Sequence, residues 1–501
     1  MLLLGIDVGT SSIKIAAVDV ESQKCIASVQ YPESETEIKS LKTGWAEQCP
    51  EDWWHNVQQG ILKLNAKNLF NPKDVKAIGI SYQMHGLVVV DKNQKVLRDS
   101  IIWCDSRAVE IGAKAFDAIG HQESLQRLLN SPGNFTASKL AWVKQNEPHI
   151  YEQIDKVMLP GDFVAMKLTG KITTSIPALS EGVFWDFKNN ELSNDVFNYY
   201  EIDKGLIPEI KPLFSEHGYL KSDVAQSLGL TAQIPVSYKS GDQPNNALSL
   251  NVLQPGEVAA TAGTSGVIYG VSASATFDPQ SRVNSFAHVN YAADSKNTGV
   301  LLCINGTGSM YRWAKHNFAP SLSYAEINKL SQASPIGSNN LKVLPFGNGA
   351  ERMLNNRFTG AQFAGIDLNK HNQPDIFRAI QEGIAFSFRY GLDIMREIGV
   401  KPTVIRAGKA NLFLSDLFAQ VFVDVTGVPV ELFDNDGSVG AALGAGIGAG
   451  IYKTHQEAFI NQQRIALLEP KDSSEYEVVY NEWNNLLAKE LNKYDDKSIN
   501  R

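Results

Sequence analysis

Asp7 stands at the end of an apolar run, directly before a turn of small and hydroxyl residues, in the stretch LLLGIDVGTSSIKIAAVDV (residues 2–20). The turn contains Gly9, Thr10 and Ser11. Backbone N–H groups in such a turn can bind an anion, and a neighbouring carboxylate can hold a divalent metal ion. The stretch therefore indicates a phosphate and metal site, although an ordinary β-hairpin uses the same residue types.

A second copy of this pattern occurs in AATAGTSGVIYG (residues 259–270), where Gly263, Thr264 and Ser265 again join two strand-like runs. Neither copy has the Gly-Lys-Ser/Thr ending of a P-loop or the Gly-x-Gly-x-x-Gly of a dinucleotide site. The duplication predicts two similar lobes with a cleft between them, each offering a turn to one polyphosphate.

Asp242 follows the strand-like run IPVSY and the small residues Ser240 and Gly241. A carboxylate at that position could take a proton from an attacking hydroxyl group. It could also do no more than cap the helix that the next residues predict. The local pattern leaves both interpretations open.

Two further segments have residues suited to binding a polyhydroxyl ligand. Met84 and His85 stand at the end of a strand-like run, and an imidazole can donate to and accept from hydroxyl groups. The second segment, IIWCDSR (residues 101–107), contains Trp103 and Asp105. Burial in a core is the alternative for His85 and for Trp103.

Composition narrows the class of protein. The chain has 501 residues, 43% of them hydrophobic, and a formal net charge of −8, so it can form two domains and is poorly suited to nucleic acid or anionic membrane. Its four cysteines are far apart, which indicates neither a zinc site nor a disulfide scaffold. The first residues lack a signal-peptide pattern and no run is apolar enough to span a bilayer, so we expect a cytoplasmic location.

Strand patterns begin each half of the chain, helical patterns dominate residues 106–154, and LQPGE (residues 253–257) predicts a turn between the halves. We therefore expect an N-terminal lobe at residues 1–247 and a C-terminal lobe at residues 248–501.

Five ordered motifs resemble those of the FGGY family of carbohydrate kinases. They are GIDVGTSSIK, SYQMHG, IIWCDSR, SGDQPNNA and TAGTSGV, at residues 5–14, 81–86, 101–107, 240–247 and 261–267. The resemblance implies an α/β protein with a two-lobed actin-like ATPase (ribonuclease H-like) fold and an interdomain cleft. It also implies ATP and Mg²⁺ as cofactors.

The same resemblance implies a role for each candidate residue. Asp7 would hold the metal through water, and Asp242 would be the general base. The sugar contacts would be Met84, His85, Trp103, Asp105 and Gln243. The residues at the ATP phosphates would be Gly9, Thr10, Ser11, Gly263, Thr264 and Ser265. The residues at the adenosine would be Gly308, Gly408 and Asn411, in a region where AGKA (residues 407–410) replaces the usual glycine-rich run.

The implied reaction is ATP-dependent phosphorylation of a ketose, with D-xylulose as the first candidate and ribulose, sedoheptulose or glycerol as alternatives. A sugar-sensing protein without catalysis remains a further alternative. The expected partners are the small-molecule sugar and ATP, without nucleic acid or membrane, and a homodimer is left open.

Overall fold

The computed structural model describes residues 1–292, 294–471 and 474–499. Its strands are β1 (Leu2–Val8), β2 (Ile13–Asp19), β3 (Cys25–Tyr31), β4 (Glu47–Gln48), β5 (Val75–Tyr82), β6 (Val88–Val90), β7 (Ser100–Ile101), β8 (Lys156–Met158), β9 (Thr173–Thr174), β10 (Trp185–Asp186), β11 (Glu191–Leu192), β12 (Glu209–Ile210), β13 (Val236–Gly241), β14 (Glu257–Ala262), β15 (Gly266–Ser272), β16 (Asn284–Ala287), β17 (Thr298–Ile304), β18 (Lys342–Phe346), β19 (Gly360–Ala364), β20 (Val404–Gly408), β21 (Val430–Phe433) and β22 (Arg464–Leu468).

Its helices are α1 (Pro50–Asn65), α2 (Val109–Ile119), α3 (His121–Leu128), α4 (Thr136–Asn146), α5 (Pro148–Tyr151), α6 (Pro160–Thr169), α7 (Ile176–Glu181), α8 (Asn194–Tyr200), α9 (Ser222–Leu228), α10 (Asp242–Ser249), α11 (Gly308–Phe318), α12 (Tyr324–Ser331), α13 (Gln373–Glu397), α14 (Asp416–Thr426), α15 (Gly437–Gly448) and α16 (Ser474–Ile499).

The chain forms two compact units. The first comprises Met1–Leu253, Ser285–Thr298 and Asn435–Gln462, and the second comprises Gln254–Asn284, Gly299–Asp434 and Gln463–Arg501. This division differs from the expected one at residues 247 and 248, because two later segments of the chain pack with the first unit. Both units are α/β, as the sequence predicts.

The sheet of the first unit has the strand order β13-β5-β1-β2-β3. Strand β1 is parallel to β5 and antiparallel to β2, and β13 is parallel to β5. Helix α1 covers one face of this sheet, with Trp53, Val57 and Ile61 buried at helical spacing in the same core as alternate residues of β1. Three adjacent parallel strands therefore end at one edge of the sheet.

Helix α15 covers the other face and explains why residues 435–462 belong to the first unit. A side chain at Gly5 or Gly79 would overlap the backbone of α15, at Ser438 and Ala441 respectively. The helix is itself rich in glycine and alanine, and Ala441, Ala442 and Ala445 are buried in the shared core. Small residues on both surfaces allow this close approach. The pattern of small residues in the sequence does not by itself say which lobe the helix packs against.

The sheet of the second unit contains the order β17-β15-β14-β20-β21-β22. Strands β14 and β15 form an antiparallel hairpin, and β14 is parallel to β20. The long helix α13 packs on this sheet and buries Phe377, Ile384 and Phe388 in the core of the unit. Each unit thus repeats a hairpin whose first strand is parallel to a later strand, as the duplicated turn predicts.

Among the helices of the described residues, we find none with both the length and the apolar character needed to cross a lipid bilayer.

Candidate active site

The edge where β1, β5 and β13 end collects the candidate residues of the first unit. Asp7 is the penultimate residue of β1, His85 follows β5 by three residues, and Asp242 directly follows β13. Ser81 of β5 is in register with Asp7 on one side and with Ser240 on the other. Because carboxyl ends of parallel strands are where α/β proteins commonly bind ligands, this edge is the candidate site of the first unit.

Asp7 lies in a recessed and electronegative position. Burial is the largest cause that raises the pKa of its carboxyl group, and the charge of Asp436 adds to it, while Ser81 and Lys14 act in the opposite direction. A Cβ atom at Gly437 would stand 2.8 Å from Oδ2 of Asp7, so the start of α15 lies directly against this carboxylate. A bound cation would relieve the cost of the charge there.

Asp242 is the first residue of α10, and the N-cap position belongs to Gly241, which has no side-chain cap. Asp242 is therefore not the N-cap residue of this helix. Burial, followed by the charge of Asp7, raises the pKa of Asp242 to about 7, although Gln243 donates to it from its backbone and side chain. A carboxyl group with a pKa near neutrality can exchange a proton at physiological pH.

The residues around Asp7 fit Mg²⁺ in the manner usual for phosphoryl transfer. The described part of the chain has no cluster of three or more His, Cys, Asp or Glu residues that could hold a metal ion. Mg²⁺ keeps several water ligands and commonly uses one or two carboxylates together with substrate phosphates. A recessed carboxylate such as Asp7, beside a turn of small residues that could offer backbone N–H groups to a phosphate, agrees with that mode.

The turn after β1 is tied to the predicted sugar side. Trp103 donates from Nε1 to Oγ1 of Thr10 at 3.0 Å, and Thr10 donates to Oε1 of Gln83 at 3.2 Å. Gln48 in turn donates to the carbonyl of Thr10 at 2.8 Å and accepts from Gln83 at 3.0 Å. Within the turn, Gly9 donates to the carbonyl of Ser12 at 3.1 Å. Side chains from three segments thus hold this turn.

His85 adopts a left-handed backbone conformation that residues other than glycine rarely take, with φ at 62°. Its N–H donates to Oε1 of Glu181 at 2.7 Å, and its Nδ1 is 3.2 Å from the Glu181 carbonyl. Met84 is buried beside Glu181 and Gly241. Strained residues of this kind concentrate at functional sites, where surrounding contacts compensate for the strain.

Asp105 is fully buried, and its carboxylate already has protein partners. Oδ2 accepts from the Ala46 N–H at 2.6 Å, and Arg107 binds the carboxylate with its guanidinium group at 2.6 to 3.0 Å. This arrangement favours a positioning role, because it orients the segment that carries Trp103. Direct contact between Asp105 and the sugar stays a prediction, and the geometry gives it no support.

The second unit brings four of the predicted nucleotide residues together around a cavity of about 330 Å³. They are Gly263, Thr264, Gly308 and Asn411. Gly308 donates to the Gly263 carbonyl at 2.9 Å, and a side chain at Gly308 would overlap that carbonyl. Gly408 ends the parallel neighbour β20, and neither it nor Ser265 lines the cavity.

Other residues of this cavity escape the sequence analysis. Tyr311 and Tyr324 stack with ring centroids 5.9 Å apart, and the Tyr311 hydroxyl donates to Asn328 at 2.6 Å. They line the same cavity as Gly263 and Gly308. An aromatic and polar wall of this kind suits a flat heterocycle. In the sequence, both tyrosines belong to ordinary amphipathic helices, so nothing there separates them from core residues.

Comparison with known proteins agrees with this architecture. The family model for the N-terminal domain of the FGGY family of carbohydrate kinases matches residues 2–249, and the C-terminal domain model matches residues 258–451. A xylulose kinase of Haemophilus influenzae is 31% identical over 462 residues, covering 89% of this chain and 90% of that protein. A xylulose kinase of Staphylococcus epidermidis is 31% identical and covers 97% of this chain and 98% of that protein.

Among solved structures, the xylulose kinase of Rhodospirillum rubrum has a TM-score of 0.87 at 25% identity, covering 98% of this chain and 99% of that one. The sequence-level and structural likenesses thus extend over nearly the whole chain. Since both domain models of one family match, in order, at the two hairpins described above, the chain belongs to the FGGY family of carbohydrate kinases.

Proposed function

We propose that the protein transfers the γ-phosphoryl group of ATP to D-xylulose and releases D-xylulose 5-phosphate and ADP. Membership of the family supports phosphorylation of a sugar by ATP, and the curated relatives named xylulose kinases support D-xylulose as the acceptor. Phosphoryl transfer needs a base for the attacking hydroxyl, donors for the transferred group and a metal ion across the phosphates.

The observation that carries the proposal is Asp242, which directly follows β13 at the sheet edge where β1, with Asp7 as its penultimate residue, also ends. Its pKa of about 7 lets it accept a proton at physiological pH. In the proposed reaction, a sugar hydroxyl oxygen attacks the γ-phosphorus and gives its proton to Asp242. The bond from that phosphorus to the bridging oxygen breaks, and ADP leaves.

The turn after β1 would receive the transferred group. Oγ1 of Thr10 accepts from Trp103 and donates to Gln83, so its proton is already committed. Backbone N–H groups of Thr10 and Ser11 are then the donors that the turn offers to an anion. Asp7 would hold Mg²⁺ through water, and the ion would neutralise charge on the phosphates.

The sugar would bind through His85 and Met84, with Trp103 as an apolar wall. His85 and Trp103 lie near strand ends and loops of the first unit, whereas Gly263 and Gly308 of the second unit line the cavity proposed for adenosine.

An ADP-release assay over a panel of sugars tests this function. The panel contains D-xylulose, D-ribulose, sedoheptulose, glycerol and D-gluconate, each with ATP and Mg²⁺. We expect the highest kcat/KM with D-xylulose, because a misplaced hydroxyl leaves a buried partner unpaired at a cost of about 1–3 kcal/mol. A tenfold preference for another compound would overturn the assignment of D-xylulose as the substrate. No ADP release with any compound would overturn the assignment of kinase activity.

A further inference from the structure

His85 is held from both sides by two buried side chains that no sequence motif identifies. Oε1 of Glu181 accepts from the His85 N–H at 2.7 Å, and Nζ of Lys139 donates to the His85 carbonyl at 2.9 Å. Lys139 is fully buried and Glu181 is 2% exposed. The backbone of one residue therefore binds two ionisable groups that water scarcely reaches.

We call Glu181 and Lys139 the clamp on His85, and this clamp joins separate parts of the first unit. Lys139 lies on α4 and Glu181 is the last residue of α7. Nζ of Lys139 also donates to the carbonyl of Ile102 at 3.0 Å, one residue before Trp103. The side-chain nitrogen of one lysine therefore holds the two loops that carry the proposed sugar contacts His85 and Trp103.

Ring contacts complete the positioning of the imidazole. Phe135, the residue before α4, meets the His85 ring edge-on with centroids 4.9 Å apart, and Phe286 lies at 5.4 Å. Ala137 of α4 donates to the Gly182 carbonyl at 3.0 Å, which ties α4 to the end of α7. Both the main chain and the ring of His85 thus depend on these two helices.

Glu181 also adjoins the segment of the proposed base. A Cβ atom at Gly241 would stand 2.8 Å from Oε2 of Glu181 and 2.7 Å from Cγ of Met84. Glycine before Asp242 is therefore needed for Glu181 to lie there. The same carboxyl group contacts the residue next to the base and the backbone of the proposed sugar contact.

We propose that Glu181 and Lys139 are positioning residues for the sugar: together they hold the His85 peptide in its left-handed conformation and fix its imidazole for contact with the acceptor. This inference rests on the proposed function, since it assigns His85 to the sugar. It goes beyond that function by making sugar affinity depend on two buried groups. Burial of this kind is costly unless each group has a partner, which both have here.

Three variants test the proposal with the sugar that wild type phosphorylates best in the panel. Glu181→Met and Lys139→Met remove one side of the clamp each, and we expect the KM for sugar to rise tenfold or more while the KM for ATP changes less than twofold. Glu181→Gln keeps an acceptor oxygen for the His85 N–H, and we expect its sugar KM within threefold of wild type.

A buried carboxyl group of the second unit provides the matched control. Glu382 accepts from Ser338 and from Arg378 and is 2% exposed. Glu382→Met should lower Tm without changing the sugar KM. If Glu181→Met likewise lowers Tm and leaves the sugar KM unchanged, the proposal is overturned, because burial alone would then explain the effect of the substitution. If the Met variants do not fold, a tenfold rise in sugar KM for Glu181→Gln would overturn it equally.

The proposal and the proposed function fail separately. If wild type phosphorylates no compound of the panel, the function is wrong, and a crystal structure of Glu181→Met then decides the positioning. We expect the His85 backbone to leave the left-handed region in that variant. An unchanged φ at His85 would show that Glu181 does not hold it.

Discussion

Trp103 and Thr10 are directly bonded: the indole Nε1 donates to the threonine Oγ1 at 3.0 Å. The residues belong to different predicted elements, one at the sugar and one at the phosphates. Trp103 is 47% exposed, so this bond is not a by-product of deep burial. The structure therefore connects the two parts of the proposed site through one hydrogen bond.

Trp103→Phe should keep the apolar wall and remove the donor. Losing one neutral hydrogen bond costs about 0.5–1.5 kcal/mol, so we expect kcat/KM to fall about 2- to 13-fold, with a fall in Tm of at most a few degrees. Trp313→Phe is the matched control, because Trp313 of the second unit is 49% exposed. Steady-state kinetics of both variants check the prediction. Equal kinetics for Trp103→Phe and wild type would contradict it.

Asp7→Asn should abolish most turnover and leave sugar binding intact. The amide cannot organise the metal as the carboxylate does, and losing one charged group that stabilises a transition state costs about 10²–10³-fold in kcat. We expect this loss at every Mg²⁺ concentration, with the sugar Kd from calorimetry within threefold of wild type. If the variant loses sugar affinity yet keeps ATP hydrolysis, Asp7 has been assigned to the wrong substrate.

Gly308→Ala should weaken ATP binding. The new methyl group would overlap the Gly263 carbonyl, which is backbone and cannot rotate away. Overpacking of this kind typically costs about 1–3 kcal/mol, and we expect the KM for ATP to rise about tenfold while the sugar KM stays constant. Gly263→Ala is the stability control, since its methyl would find the nearest side chain at 3.5 Å. A lower Tm for Gly263→Ala than for Gly308→Ala would contradict this account.

The positions of the candidate residues at strand ends were predictable from the sequence. Apolar runs followed by small residues mark strand ends whatever the remaining fold, and the structure places Asp7, Asp242 and Gly263 within one residue of such ends. The duplicated hairpin is likewise a local pattern. Local patterns of this kind depend on backbone geometry and on few distant contacts.

Residues that act through distant contacts were not predictable. Lys139 occurs in an amphipathic helical pattern where a lysine ordinarily faces water, yet it is buried between two carbonyls. Glu181 has no motif at all. Tertiary burial decides each of these cases, and no local pattern encodes it.

Asp242→Asn tests the proposed base. Asparagine keeps the shape but not the basicity, and loss of a general base costs about 10²–10⁴-fold in kcat. We expect the KM values to change little. Asp19→Asn, at the end of β2, is the matched control for a strand-end aspartate outside the proposed site. Near-normal kcat in Asp242→Asn would remove this residue from the mechanism.

The same variant should be more stable than wild type at alkaline pH. The pKa of Asp242 is raised to about 7 in the folded state, from an ordinary value of 3.8. Between these two values the folded state keeps a proton that the unfolded state releases, so the contribution of Asp242 to stability is full below about pH 4 and is lost as the pH rises through 7. The amide of the Asp242→Asn variant does not ionise and escapes this loss.

Because Asp242 is partly exposed and water screens its charge, we expect the advantage of the variant to grow by about 1–2 kcal/mol between pH 5 and pH 8. That change corresponds to about 2–8 °C in Tm for a domain of this size. Thermal unfolding of both proteins in EDTA, where no metal ion can lower the pKa, measures the difference. A constant difference between pH 5 and pH 8 would show that the folded protein does not raise the pKa of Asp242.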